Sequence, residues 1–254
     1  MEINPPTKSV EIKEKDLFKA AEKGDSSIFK SLSQDHLTKS LKLRNEDARS
    51  LLHVAVSSAH PEVVKLLSAA ADESVVNGID EEGWAPIHSA ASIGNLELME
   101  ILLSKGANVN VKNDGGRTAL HYAASKGWLK IAELLISHGA KINSKDKVGC
   151  TPLHRAASTG KSALCELLIE EGAEVDATDR AGQTPLMSAV ICQNKEVLSL
   201  SFEKPRFKAH AALLLIRHGA DVDIEDKEGY TVLGLASNDF RSILIDAAKA
   251  MLEG

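Results

Sequence analysis

"GRTALHYAASKG" (Gly116–Gly127) returns 33 residues later as "GCTPLHRAASTG" (Gly149–Gly160). A dozen residues repeated at a fixed interval mark a chain built from copies of one small unit. Aligning on the central histidine extends the series to "SLLH" at Ser50, "APIH" at Ala85, "TALH" at Thr118, "TPLH" at Thr151, "TPLM" at Thr184 and "TVLG" at Thr231. Successive intervals are 35, 33, 33, 33 and 47 residues.

Each copy reads alike: a small-residue helix, a break, a second helix ending in Leu-Leu, Gly-Ala, and a polar turn. Thr118, Thr151 and Thr184 stand where a hydroxyl can cap the helix that follows, and proline at the first helical position loses no bond. Alanines such as Ala123, Ala124, Ala156 and Ala157 let neighbouring helices approach closely. Leu134, Leu135, Leu167 and Leu168 fill the layer between the two helices. Gly106, Gly139, Gly172 and Gly219 fall where a helix ends in the left-handed conformation. One unit cannot bury its apolar face alone, but a stack can.

The composition suits thin, similar contacts: 43% of residues are hydrophobic but only 4% aromatic. A formal charge of −6 makes nucleic acid an unexpected partner. The longest unbroken apolar run, Ala211–Ile216, is too short to cross a bilayer, so no membrane partner is expected. Three cysteines (Cys150, Cys165, Cys192) form no C-x-x-C pair, and there is no N-x-S/T sequon. With a polar opening that reads as no signal peptide, this predicts a cytoplasmic and nuclear protein.

The motif Thr/Ser-x-Leu/Ile-His at a 33-residue period resembles the ankyrin repeat. The resemblance implies an all-α repeat solenoid of about seven repeats, each a helix-turn-helix plus a β-turn or hairpin. The expected units are 14–45, 46–80, 81–113, 114–146, 147–179, 180–226 and 227–254, within a domain spanning 14–254. The first is divergent ("DLFKAAEKGDSSIFKSL", Asp16–Leu32), and residues 1–13 are expected to be a disordered tail. The 35-residue unit has "SAAADESVVNG" in place of Gly-Ala, so its exit turn should differ. The sixth carries 14 extra residues, placed at Leu198–Ala211, expected to loop out between its two helices with Pro205 breaking any helix through it.

Catalysis finds no support. His53, His88, His121 and His154 each lie on a separate unit, about 8–10 Å apart as packed helices are, and cannot converge on one metal ion. They read instead as bonding the hairpin backbone. "GKS" at Gly160–Ser162 lacks the strand and the glycine of a phosphate-binding loop. Cys165 reads as core. No enzyme activity, cofactor or metal is expected.

What remains is surface that varies in columns without harming the core. One column is the hairpin tip: Arg49, Trp84, Arg117, Cys150, Gln183 and Tyr230. A second, on the first helix, holds Tyr122 and Arg155, and a third holds Ile93, Lys126 and Thr159. Arginine and aromatic residues concentrate at interface hot spots. Arg49, Trp84, Arg117, Tyr122, Lys126 and Arg155 are therefore the expected partner-binding residues of a monomer.

The unit number, "GWAPIH" (Gly83–His88), "TALHYAASK" (Thr118–Lys126) and the terminal "MLEG" are similar to the gankyrin family of 26S proteasome assembly chaperones. That resemblance implies a concave face gripping the C-terminal domain of a proteasomal regulatory-particle ATPase subunit, with Arg49 and Lys126 on positions that meet its carboxylates. The insertion is foreign to that pattern. The family's L-x-C-x-E motif is absent, the matching segment reading "LMSAVICQN" (Leu186–Asn194). The alternative is a generic ankyrin scaffold for a kinase, transcription factor or other signalling protein.

Overall fold

The computed structural model describes residues 12–198 and 206–252. Its described elements are all helical, with no strand among them. Short first helices (Leu51–Ser57, Pro86–Ile93, Ala119–Lys126, Pro152–Ser158) alternate with second helices (Pro61–Ala70, Leu96–Ser104, Leu129–Ser137, Ser162–Glu170). Each first helix packs on its own second helix and on the first helices of its neighbours, and the second helices stack likewise. The result is a helical repeat solenoid with one continuous core. Leu98, Met99, Leu102, Leu120, Leu135, Leu153 and Leu168 are fully buried in it, and so are Ala123, Ala124, Ala156 and Ala157. Leu134 and Leu167 are only partly buried, at the edge of the layer.

The repeat histidines join the units. Nδ1 of His53, His88, His121 and His154 accepts the backbone N–H of Ser50, Ala85, Thr118 and Thr151 at 3.2, 3.0, 3.1 and 3.1 Å. Nε2 of the same rings meets the carbonyls of Trp84, Arg117, Cys150 and Gln183 in the next unit at 2.9, 3.1, 3.1 and 3.0 Å. Only the neutral ring protonated at Nε2 satisfies both ends. Thr151 and Thr184 cap their helices by accepting the N–H of His154 at 3.4 Å and Met187 at 3.3 Å. Thr118 departs from that expectation. Its hydroxyl contacts the His121 ring at 2.9 Å, and no backbone cap forms.

A second set of links runs through the turns. Asn77, Asn110 and Asn143 each donate to a glycine carbonyl of the following unit (Gly106, Gly139, Gly172) at 3.0, 2.9 and 3.1 Å. Each also accepts a backbone N–H from that unit (Asn108, Lys141, Glu174) at 2.7–2.9 Å. At the hairpin tips the backbone forms a ladder, Asp114 N–H to Glu82, Lys147 to Gly115, Arg180 to Val148 and Lys227 to Ala181, at 2.9–3.0 Å. Gly116 shows why a side chain is excluded there. Its φ is +73°, and a Cβ would sit 2.7 Å from the Lys147 nitrogen.

The irregular units are resolved by extra helix. Where "SAAADESVVNG" replaces Gly-Ala, a one-turn helix Glu73–Val76 stands, capped by Asp72 accepting the Val75 N–H at 3.0 Å. Another short helix, Gln34–Ser40, closes the divergent first unit. The 14-residue insertion does not form one loop over 198–211. The first helix of that unit lengthens to Pro185–Leu198, and its second begins at Arg206 and runs to Arg217. Ala211 is fully buried. Extending two helices satisfies backbone groups that a fourteen-residue loop would leave to solvent. Pro205, the rest of 199–205, residues 1–11 of the expected tail and 253–254 lie outside the described residues.

Candidate functional site

The tip column is aimed by the turns that carry it. Asp80 Oδ1 accepts the N–H of Glu82 and Trp84 at 3.0 and 2.8 Å. Asp146, Asp179 and Asp226 repeat this with Cys150, Gln183 and Tyr230, each at 3.0 Å. A short polar side chain bonding its own downstream backbone is a self-closing turn. The carbonyl of each tip residue is held in turn by the histidine of the preceding unit, so the backbone of the turn repeats from unit to unit.

Trp84 and Tyr122 meet across two units, ring centroids 4.6 Å apart and tilted by 41°, with the His88 ring 5.8 and 6.1 Å away. The Tyr122 hydroxyl accepts from Asn113 Nδ2 at 2.7 Å, which orients the ring. Arg49 is half-buried, and its Nη2 donates to the His53 carbonyl at 3.2 Å and to Ser57 Oγ at 2.7 Å. An open depression beside it is lined by Asp47, Asp80, Glu81, Glu82, Trp84 and Ser89. Lys126 is exposed at the last turn of its helix and forms no ion pair among the described residues.

Arg117 and Arg155 converge on Asp146, a residue that sequence reasoning missed. An Arg155 Nη2–Asp146 Oδ2 ion pair forms, and Arg117 Nε lies 3.6 Å from the same oxygen. The Asp146 side chain is 1% exposed, that of Arg155 24% and that of Arg117 43%. Burial alone would raise the Asp146 carboxyl. The Arg155 hydrogen bond and charge, with the Cys150 and Val148 amides, outweigh it and hold the group below the ordinary carboxylate range. The structure thus brings Trp84 to Tyr122 and Arg117 to Arg155, while Arg49 shares a depression with Trp84 and Lys126 follows Tyr122 by one helical turn.

Cys150 and Cys165 are poorly placed for nucleophilic chemistry. Burial pushes the Cys165 thiol to about 12 and that of Cys150 to about 11. A thiol that high is almost wholly protonated at neutral pH. No helix among the described residues is long and apolar enough to cross a membrane.

A family model described as ankyrin repeats (3 copies) matches residues 17–113, 73–146, 94–179 and 139–204. Among curated proteins, alpha-latrotoxin-Lt1a of Latrodectus tredecimguttatus is 28% identical over 103 residues, 39% of this chain and 7% of the toxin. Oxysterol-binding protein-related protein 1 of Mus musculus is 39% identical over 79 residues, 28% of this chain and 8% of that protein. Diacylglycerol kinase zeta of Rattus norvegicus is 31% identical over 95 residues, 37% of this chain and 10% of the kinase. The matched stretches therefore span a tenth or less of these relatives.

Proposed function

This chain belongs to the ankyrin-repeat family, and from that premise we propose that it is a protein-binding module of seven repeats serving as an assembly chaperone for the 26S proteasome regulatory particle. The face built by the hairpin tips and first helices receives the partner. The partner is the C-terminal domain of a proteasomal ATPase subunit, bound in the cytoplasm and nucleus, with Arg49, Trp84, Arg117, Tyr122, Lys126 and Arg155 as the contact set.

The observation that supports the binding reading is the meeting of Trp84 with Tyr122, and of Arg117 and Arg155 at Asp146, on adjoining units. The choice of partner rests on "GWAPIH" and "TALHYAASK", the likeness to the gankyrin family. A second reading, a generic ankyrin scaffold, is favoured by the relatives themselves. Their names are a toxin, an oxysterol-binding-related protein and a kinase, and none is proteasomal. Both readings use the same face, so the fold does not separate them.

Mass spectrometry of complexes captured on the tagged chain does. Proteasomal ATPase subunits should dominate the captured proteins. Their absence, with another partner in their place, would leave the scaffold reading.

A further inference from the structure

We infer that Arg117 and Arg155, drawn together over the single buried carboxylate of Asp146, form a receptor for one carboxylate side chain of the protein partner. The charge count motivates this. Among groups in direct contact, two permanently charged guanidinium groups share one carboxylate, which leaves one of the two without a close ion-pair partner beside the aromatic pair. The next carboxylate, Asp179, faces Cys150 instead. Three of the four lone-pair sites of the Asp146 carboxylate are taken. Its Oδ1 already accepts from the Val148 and Cys150 amides, both at 3.0 Å, and its Oδ2 holds Arg155.

Arg117 is held loosely. At 3.6 Å its Nε makes no hydrogen bond to Asp146, and both Arg117 Nε and Arg155 Nε are buried atoms without a partner. Buried donors left unpaired in a folded protein call for a partner or a function. The outer end of the Arg117 fork stays open, since its side chain is 43% exposed. Such a fork matches a carboxylate with two parallel hydrogen bonds.

The guanidinium charge left without a close partner selects the ligand. A carboxylate neutralises it, whereas a phosphate monoester at neutral pH brings nearly two negative charges. The neighbouring Trp84–Tyr122 pair, linked to Arg117 through Asn113, adds an apolar surface. The segment that fits has an acidic residue flanked by apolar ones. This deepens the protein-binding reading and rests on it, but it does not depend on the partner being proteasomal.

The test uses the full chain, labelled with ¹⁵N, and three peptides: acetyl-Leu-Glu-Leu-amide, its glutamine counterpart and its phosphoserine counterpart. The glutamate peptide should bind about tenfold more tightly than the glutamine one, a step equal to one good charge-assisted contact. That preference should fall to near unity in Arg117→Gln and persist in Lys130→Gln, a change at an exposed second-helix lysine outside the contact set. Circular dichroism should match wild type in both variants, because Arg155 still neutralises Asp146. Equal or undetectable binding of the glutamate and glutamine peptides would overturn the inference. So would a glutamate preference that survives Arg117→Gln, or tighter binding of the phosphopeptide. Failure of the proteasomal reading shows separately, as wild-type chain that does not bind the ATPase domain whatever the peptides do.

Discussion

Asp176 accepts the backbone N–H of Asp221 at 3.1 Å, standing where Asn143, 33 residues earlier, accepts the N–H of Glu174 at 2.9 Å. The three asparagines of this column also donate across the junction, and a carboxylate cannot. Burial raises the Asp176 carboxyl above its ordinary range, the Asp221 amide works against that, and the Asp221 charge adds to it.

Replacing Asp176 by Asn restores the missing donor, and the junction should gain about 1 kcal/mol at neutral pH, the usual net worth of a hydrogen bond. The sign with pH follows from the raised carboxyl. Its protonated form is the one the fold favours, so the wild-type penalty shrinks as pH falls through the folded value. Denaturant melts of both proteins at pH 7 and pH 4 check this: the advantage of Asp176→Asn should be larger at pH 7. An equal advantage at both would mean the carboxylate charge is not the cause.

Ala48 and Ala59 both have φ of +57°, in turns where the other units place glycines such as Gly116 and Gly94. An alanine held left-handed costs about 1–2 kcal/mol, and the extra unfolded-state freedom of glycine returns roughly 0.5–1 kcal/mol of that. Ala48→Gly and Ala59→Gly should therefore each stabilise by about 0.5 kcal/mol. The reverse change at Gly116 should destabilise by about 2 kcal/mol or more, since left-handed strain is joined by the Cβ contact with the Lys147 backbone. Thermal melts of the three variants give the comparison, and a loss of stability in either glycine variant would refute the strain argument.

The histidine links and the left-handed glycines were legible in the sequence because each recurs at a fixed offset with its chemistry intact. Gly106, Gly139, Gly172 and Gly219 all have φ between 81° and 89°. Ala48 and Ala59 were not legible, since alanine favours helix and its strain comes from neighbours that fix the turn. The Arg117–Asp146 approach was hidden for a different reason. It joins residues 29 apart whose meeting depends on how one turn stacks on the next, although an aspartate opening the turn and an arginine nine residues on was a readable signal. The conformation of the insertion was not legible because a foreign segment can lengthen the helices on either side as readily as it can loop out.

The histidine links also set an acid limit. Burial lowers the proton affinity of His53, His88, His121 and His154, against carbonyl contacts that raise it, and His121 falls to about 4. A ring that must stay neutral in the fold but charges freely when unfolded contributes stability that is complete above pH 6.5. That stability is lost as pH falls from 6.5 towards 4. For His121 alone the loss is on the order of 3 kcal/mol at the acid end. Melting temperature should thus be flat from pH 8 to 7 and drop steeply between 6 and 4, through all the units that share the link. His121→Gln, which has no ionisable ring, should flatten part of that slope while lowering stability at pH 7. An unchanged slope in this variant would place the acid sensitivity elsewhere.

The proposed partner face makes different demands on Arg49 and Lys126. If both meet carboxylates of the ATPase domain, reversing both charges (Arg49→Glu with Lys126→Glu) replaces attraction with repulsion. The loss of affinity should be on the order of 2–5 kcal/mol for a desolvated pair and much less at an exposed rim. Their effects on folding should also differ. Arg49 donates to His53 O and Ser57 Oγ, so Arg49→Glu should cost about 1 kcal/mol of stability as well. Exposed Lys126 should cost almost nothing, because surface charges away from buried networks rarely exceed a few tenths of a kcal/mol. Binding of wild type should weaken as salt rises, since exposed charges are screened over about 8–10 Å. Calorimetric titration of each single variant against the purified ATPase C-terminal domain separates the contributions. A Lys126→Glu chain that is stable and binds with undiminished affinity removes that residue from the contact set, and the same result with Arg49→Glu would confine Arg49 to holding its own helix.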